Sequence, residues 1–123
     1  IPLEFPAVAD LDVTLALRQA AINNKVRHHF GLTQTKDSFY GQHEPERMPV
    51  SGELQDRWNA WVKGGALCSE MEASTIFVVS SFLKCRAGGI MLAGGSDAEL
   101  EVLLNTAVSG LKILIERDQN KLE

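Results

Sequence analysis

The chain has 123 residues, 45% hydrophobic and 23% charged, with a net charge of -4, which suits one domain able to bury roughly two thirds of its unfolded surface. No Lys/Arg block is present, which argues against nucleic acid or an acidic membrane as partner. Two cysteines, Cys68 and Cys85, lie in or beside apolar segments without CxxC spacing, so a disulfide framework and a metal site are both disfavoured and buried free thiols are expected.

The longest strongly apolar run, residues 76–83, is too short for a bilayer and carries two serines. With no signal-peptide pattern either, a cytoplasmic protein is the default expectation. The opening "IPLEFPAVAD" is apolar and lacks methionine, so the chain is expected to be a piece of something longer.

In "AVADLDVTLALRQAAINNK" Asp10 can cap a helix that carries Leu11, Leu15, Leu17, Ala20 and Ala21 on one side and stops at Asn23-Asn24. "VRHHFGLTQTK", residues 26–36, has β-branched and aromatic residues in partial alternation and reads as a strand. "DSFYGQHEPERMPVSG", residues 37–52, is rich in Gly, Pro, Ser and charge and reads as a long irregular loop, the kind that is functional or disordered. "ELQDRWNAWVKGG" reads as a helix with Leu54, Trp58 and Trp61 on one face and Gly64-Gly65 as its stop.

"ALCS" is then a brief buried strand, "MEASTIFVVSSFLKCR" a helix apolar nearly all round and so enclosed, and "AGGIMLAG" a second buried strand. Ser96 and Glu99 form a capping box for a last helix over residues 96–123, with Leu100, Leu103, Leu104, Ala107, Val108, Leu111 and Leu114 at helical spacing. Alternating helices and strands imply a single α/β unit over residues 1–123, with a mostly parallel or mixed sheet flanked by helices.

The histidines do not announce a metal site. His28 and His29 are neighbours on the expected strand and point to opposite faces, so they cannot share one ion. His43 lies in the loop, where a ligand contact is conceivable. Spacing gives no Ser-His-Asp arrangement, GxGxxG or P-loop.

Two stretches carry chemistry. In "SFYGQHEPER", Phe39 or Tyr40 can stack on a flat ring, Gln42 offers a donor and an acceptor on one amide, and Arg47 offers a donor fork. That set suits the edge of a nucleobase, and a solvated loop of accidental composition remains the alternative. In "SEMEAST", Glu70, Met71 and Glu72 follow a strand and open a helix, where ligand crevices of open α/β sheets lie.

A carboxylate there can accept from vicinal sugar hydroxyls, each such bond being worth roughly 1.5–3 kcal/mol. The helix macrodipole favours an acid in the first turn by about 0.3–1 kcal/mol and accounts for Glu72 without a ligand. It accounts less well for Glu70, or for a flexible apolar residue between two acids.

"EFPAVADLDVTLAL", "GLTQTKDSFYGQ" and "SEMEAST" followed by "RAGGIML" resemble, in order and over nearly the whole chain, the C-terminal half of uridine phosphorylases of the nucleoside phosphorylase family. The resemblance implies an incomplete nucleoside phosphorylase fold and reversible phosphorolysis: uridine and inorganic phosphate give uracil and ribose 1-phosphate. By motif match Phe39, Gln42 and Arg47 would hold the uracil and Glu72 the ribose hydroxyls. Met71 would pack on the sugar, and Glu70 would line the same pocket.

No metal or cofactor is implied beyond phosphate as co-substrate, and the assembly would be a homo-oligomer, a dimer or hexamer. The family's phosphate-binding glycine and arginines, and a histidine that reaches the neighbouring subunit's ribose, belong to the N-terminal half, so the phosphate site is expected outside these residues. The mobile polar loop that follows "GGIMLA" in the family is absent, since "AGGSDAEL" passes at once into the last helix. A non-catalytic C-terminal fragment or assembly module, and a purine-preferring phosphorylase of the same fold, are the alternatives.

Overall fold

The computed structural model describes residues 1–121. In chain order it holds α1 (Leu11–Asn23), β1 (Leu32–Thr35), α2 (Phe39–His43), a 3-10 turn (Pro45–Arg47), α3 (Ser51–Lys63), β2 (Ala66–Glu70), α4 (Ala73–Phe82) and α5 (Asp97–Asn120). The chain is mixed α/β with a parallel strand pair, as the alternation implied. Backbone contacts gather it into two compact units, His29–Ser74 in one and Ile1–His28 with the chain from Thr75 onward in the other.

The helical unit is built on α1 and α5, which pack together. Asp10 caps α1 by accepting the N–H of Val13 at 3.0 Å, and Ser96 and Glu99 form the reciprocal capping box of α5. The buried face of α1 is Ala16, Ala20 and Ala21, while the expected Leu11 and Leu15 are exposed. Small side chains win that face because they let the helices approach: a Cβ on Gly110 of α5 would lie 2.8 Å from Cδ2 and 3.2 Å from Cα of Leu17. Thr106 is buried beside this stripe and satisfies its hydroxyl on the Val102 carbonyl at 2.8 Å. The last two residues of the expected final helix lie outside the described residues.

Residues 87–94 do not form the expected strand. A strand requires a ladder; here the Ala87 carbonyl accepts from the Asp10 N–H at 2.7 Å. Gly88 lies so close to α1 that a Cβ there would sit 2.5 Å from Cγ1 of Val13. The expected enclosed helix over residues 71–86 is also shorter. It ends at Phe82, with Lys84 in the left-handed region at φ 57 and the Cys85 N–H returning to the Ser80 carbonyl. Ile76, Val79 and Phe82 are exposed rather than enclosed, and Cys85 is exposed rather than buried.

The second unit is a β-helix-β crossover. β1 and β2 run parallel, with Thr33 opposite Cys68, Gln34 opposite Ser69 and Thr35 opposite Glu70, after an irregularity between Leu32 and Thr33. Parallel strands require a long connection, which α2, the 3-10 turn and α3 provide. Leu54 and Trp58 of α3 are half-buried, but Trp61 is exposed.

The strand expected over residues 26–36 is confined to Leu32–Thr35. The residues ahead of it bond locally: Val26 N–H to the Ala21 carbonyl, and the His28 ring Nδ1 2.8 Å from the Val26 carbonyl oxygen. His28 and His29 are therefore not strand residues. The expected irregular loop over residues 37–52 is partly helical, because Ser38 caps α2 through the Gly41 N–H at 3.0 Å and Pro45 presets the 3-10 turn.

Candidate functional site

The sequence-derived site residues fall in the unit His29–Ser74: Glu70, Met71 and Glu72 at the carboxyl end of β2, Phe39 and Gln42 in α2 after β1, and Arg47 in the 3-10 turn. Ligand crevices of open α/β sheets occupy this position. The side chains there divide into two groups, one built on Glu70 and one on Ser69.

Glu70 is the last residue of β2, and its carboxylate is fully engaged. Oε1 accepts the hydroxyls of Thr33 at 3.2 Å and Thr35 at 2.7 Å, while Oε2 accepts the N–H groups of Glu72 and Ala73, each at 2.6 Å. Partial burial pushes its carboxyl up. The Ala73 N–H, the Thr35 hydroxyl, the Glu72 N–H and the Thr33 hydroxyl outweigh that and hold it below the ordinary glutamate value. Thr35 also accepts the Ser74 N–H at 3.0 Å. The strand ends thus satisfy the free N–H groups at the start of α4, and this explains an acid at the junction.

Glu72 stands differently. Its Oε2 accepts only the Met71 N–H, at 3.1 Å, and among the described residues no cation pairs with it. Both Met71 and Glu72 are exposed. The turn therefore offers a carboxylate with acceptor capacity to spare, held by the Glu70 cap beneath it.

The second group centres on the Ser69 hydroxyl. Gln42 Nε2 donates to it at 2.9 Å and Lys36 Nζ at 3.0 Å. Gln42 is half-buried and its Nε2 is committed to Ser69, while among the described residues its Oε1 makes no hydrogen bond. Phe39 packs on His43 at 4.3 Å between ring centroids and meets Tyr40 edge-on at 5.4 Å, with Lys36 Nζ 5.8 Å above the Phe39 ring. Arg47 bonds Glu44 at 2.6 Å and stacks over Tyr40 at 5.1 Å. The structure thus brings Gln42, Phe39 and the "SEMEAST" turn to one end of the strand pair, and engages Arg47 with Glu44 and Tyr40 instead.

Sequence reasoning passed over Lys36, Ser69, Thr33 and Thr35. The alternation in "TQTK" puts Thr33 and Thr35 on one face, which is a readable signal; the convergence of Lys36 and Gln42 on Ser69 is a long-range event with none. A groove of about 580 Å³ lies elsewhere in the unit, lined by Leu32, Thr33, Arg57, Ala60, Trp61, Gly64 and Ala66. It is mostly apolar, shares Thr33 with the Glu70 network and contains none of the expected site residues.

The comparisons with known proteins bear on the family of the chain. A family model described as the phosphorylase superfamily matches residues 1–112. The chain is 41% identical to the uridine phosphorylase of Treponema pallidum, over 95% of this chain and 50% of the relative. It is 35% identical to that of Thermococcus kodakarensis, over 98% of this chain and 47% of the relative. A guanosine phosphorylase from Halorubrum lacusprofundi is 34% identical over 76% of this chain and 34% of its own length. The chain spans about half the length of the uridine phosphorylases it matches. With the family match covering most of the residues, the chain belongs to the phosphorylase superfamily, among its nucleoside phosphorylases.

Proposed function

We propose that the full-length gene product catalyses reversible phosphorolysis of uridine, giving uracil and ribose 1-phosphate. The observation that carries this reading is the turn after β2. Glu70 is consumed in capping α4, while Glu72, beside an exposed Met71, keeps an unpaired carboxylate at the strand end that also presents the oriented Gln42 amide. The named activity of the matched relatives supports it.

In this reading Glu72 accepts from the ribose 2′- and 3′-hydroxyls and Met71 packs on the sugar. Phe39 covers one face of the uracil, and the free Oε1 of Gln42 takes the ring N–H. Glu70 acts as a positioning residue from within the same turn. Arg47 reaches the uracil edge only by exchanging Glu44 for it. A phosphate oxygen bonds to C1′ as the C1′–N1 bond breaks, and the electron pair departs on the base, which then takes a proton. Fixing the sugar holds C1′ in line with phosphate, and donors aimed at the base stabilise the leaving anion.

Inorganic phosphate is the co-substrate, its site lies in a part of the protein beyond these residues, and no cofactor is required. Assembly into a homo-oligomer and a role in pyrimidine salvage in the cytoplasm belong to the same proposal. Among the described residues no helix is long and apolar enough to cross a membrane.

The test is kcat/KM for uridine against guanosine and inosine with phosphate. Preference for uridine supports the reading, and preference for a purine nucleoside, which the guanosine phosphorylase relative makes the specific alternative, overturns it. The 123 residues by themselves, which lack the phosphate site in this reading, should release no uracil from uridine and phosphate; release by them would overturn that placement of the phosphate site.

A further inference from the structure

Lys36 is the cation that the site residues do not account for. It follows β1 directly, and its backbone N–H bonds the Glu70 carbonyl at 2.8 Å, so its position is set by the same strand end that holds the "SEMEAST" turn. Its side chain is half-buried and bonds Ser69 Oγ at 3.0 Å, the oxygen that also takes Gln42 Nε2 at 2.9 Å. The same Nζ lies 5.8 Å over the Phe39 ring. Among the described residues no carboxylate forms an ion pair with it, whereas Arg47 is committed to Glu44 at 2.6 Å.

A lysine carries three donors, of which Ser69 uses one. The remaining N–H groups, next to an amide whose acceptor oxygen is free, form a donor and acceptor pair that fits the alternating C=O and N–H edge of a pyrimidine dione. When the C1′–N1 bond breaks, its electron pair spreads over the ring carbonyl oxygens. A cation already in place stabilises that charge without reorganisation.

Resting on the uridine phosphorolysis reading, we propose that Lys36 contacts a uracil carbonyl oxygen and stabilises the departing base anion, with Ser69 positioning both Lys36 and Gln42. Arg47 then serves at the rim of the site, with Glu44.

The experiment compares uridine with 5-fluorouridine, whose more acidic base leaves with less help, in the full-length protein and in Lys36→Met, Lys36→Gln, Lys36→Arg and Arg47→Met. Both neutral Lys36 variants should lose about 30-fold or more in kcat/KM on uridine but only about 5-fold on 5-fluorouridine. Lys36→Arg should recover most of the uridine rate, and any loss in Arg47→Met should be equal on the two substrates.

Equal losses on both substrates in the Lys36 variants, or an unequal loss in Arg47→Met with the Lys36 variants unaffected, overturn the assignment of Lys36 while leaving uridine phosphorolysis standing. A wild-type protein without activity on either nucleoside overturns both.

Discussion

The Glu70 carboxylate accepts the backbone N–H of Ala73 at 2.6 Å, so the last residue of β2 is also the cap of α4. Met71 and Glu72 are the turn enclosed by that bond. Their availability to a ligand therefore depends on a neighbour whose own acceptors are all occupied by protein.

Replacing this cap has a signature in pH. The folded-state pKa of Glu70 is lowered, so its contribution to stability is complete above the unfolded glutamate value of about 4.3 and is lost as pH falls through the depressed folded value. The Tm difference between wild type and Glu70→Gln should be widest near neutral pH and shrink in acid. A gap of constant size from neutrality into acid would remove the carboxylate charge from the explanation. Glu70→Ala, which takes away all four contacts, should cost roughly 1–3 kcal/mol because the buried Ala73 N–H and the half-buried Thr33 and Thr35 hydroxyls lose their acceptor.

Glu72→Ala tests the sugar side. Glu72 makes one weak local bond, so the change should leave Tm almost unmoved. In kcat/KM for uridine it should cost more than about 2 kcal/mol, close to 30-fold, through lost charged hydrogen bonds. Wild-type kinetics in this variant would defeat the ribose assignment.

Gln42→Ala and Ser69→Ala test the base side. Gln42→Ala should lower kcat/KM for uridine far more than for a nucleoside with another base. Ser69→Ala frees the amide to rotate, and should reproduce part of that selectivity loss while Gln42 itself remains. Identical losses on both nucleosides would move Gln42 out of the base subsite.

Away from the site, Gly110 reports on the α1 and α5 crossing. Gly→Ala in a helix interior gains about 1 kcal/mol in propensity, but a Cβ here meets Leu17 at 2.8 Å and 3.2 Å, the latter contact being with Leu17 Cα. The two effects oppose each other, and Gly110→Ala should fall near neutral. Gly110→Val has no such compensation and should destabilise by roughly 1–3 kcal/mol through overpacking. Thermal unfolding of both variants checks this; a stable Val variant would mean that the helices separate freely.

Much was legible from residues close in sequence. The caps at Asp10 and at Ser96 with Glu99 and the stop after Lys63 all rest on interactions within a turn or two. The motif pattern around Gln42 and Glu72 located the candidate site for the same reason: its residues occur in short runs. The helical turn at Phe39–His43 was hidden because a loop-like composition conceals a single serine cap.

What only the tertiary structure decided concerns partners. The side chains alone do not distinguish Glu70 as a satisfied cap from Glu72 as a free acceptor. That difference depends on Thr33 and Thr35 arriving from a parallel strand more than thirty residues earlier. Nor does periodicity reveal that α1 buries its alanines, that residues 87–94 lie against it without a ladder, or that Lys36 and Gln42 meet at Ser69. Local propensity and capping act through neighbours in the chain. Burial, register and the choice of hydrogen-bond partner act between segments far apart in it, and the folded chain alone brings those together.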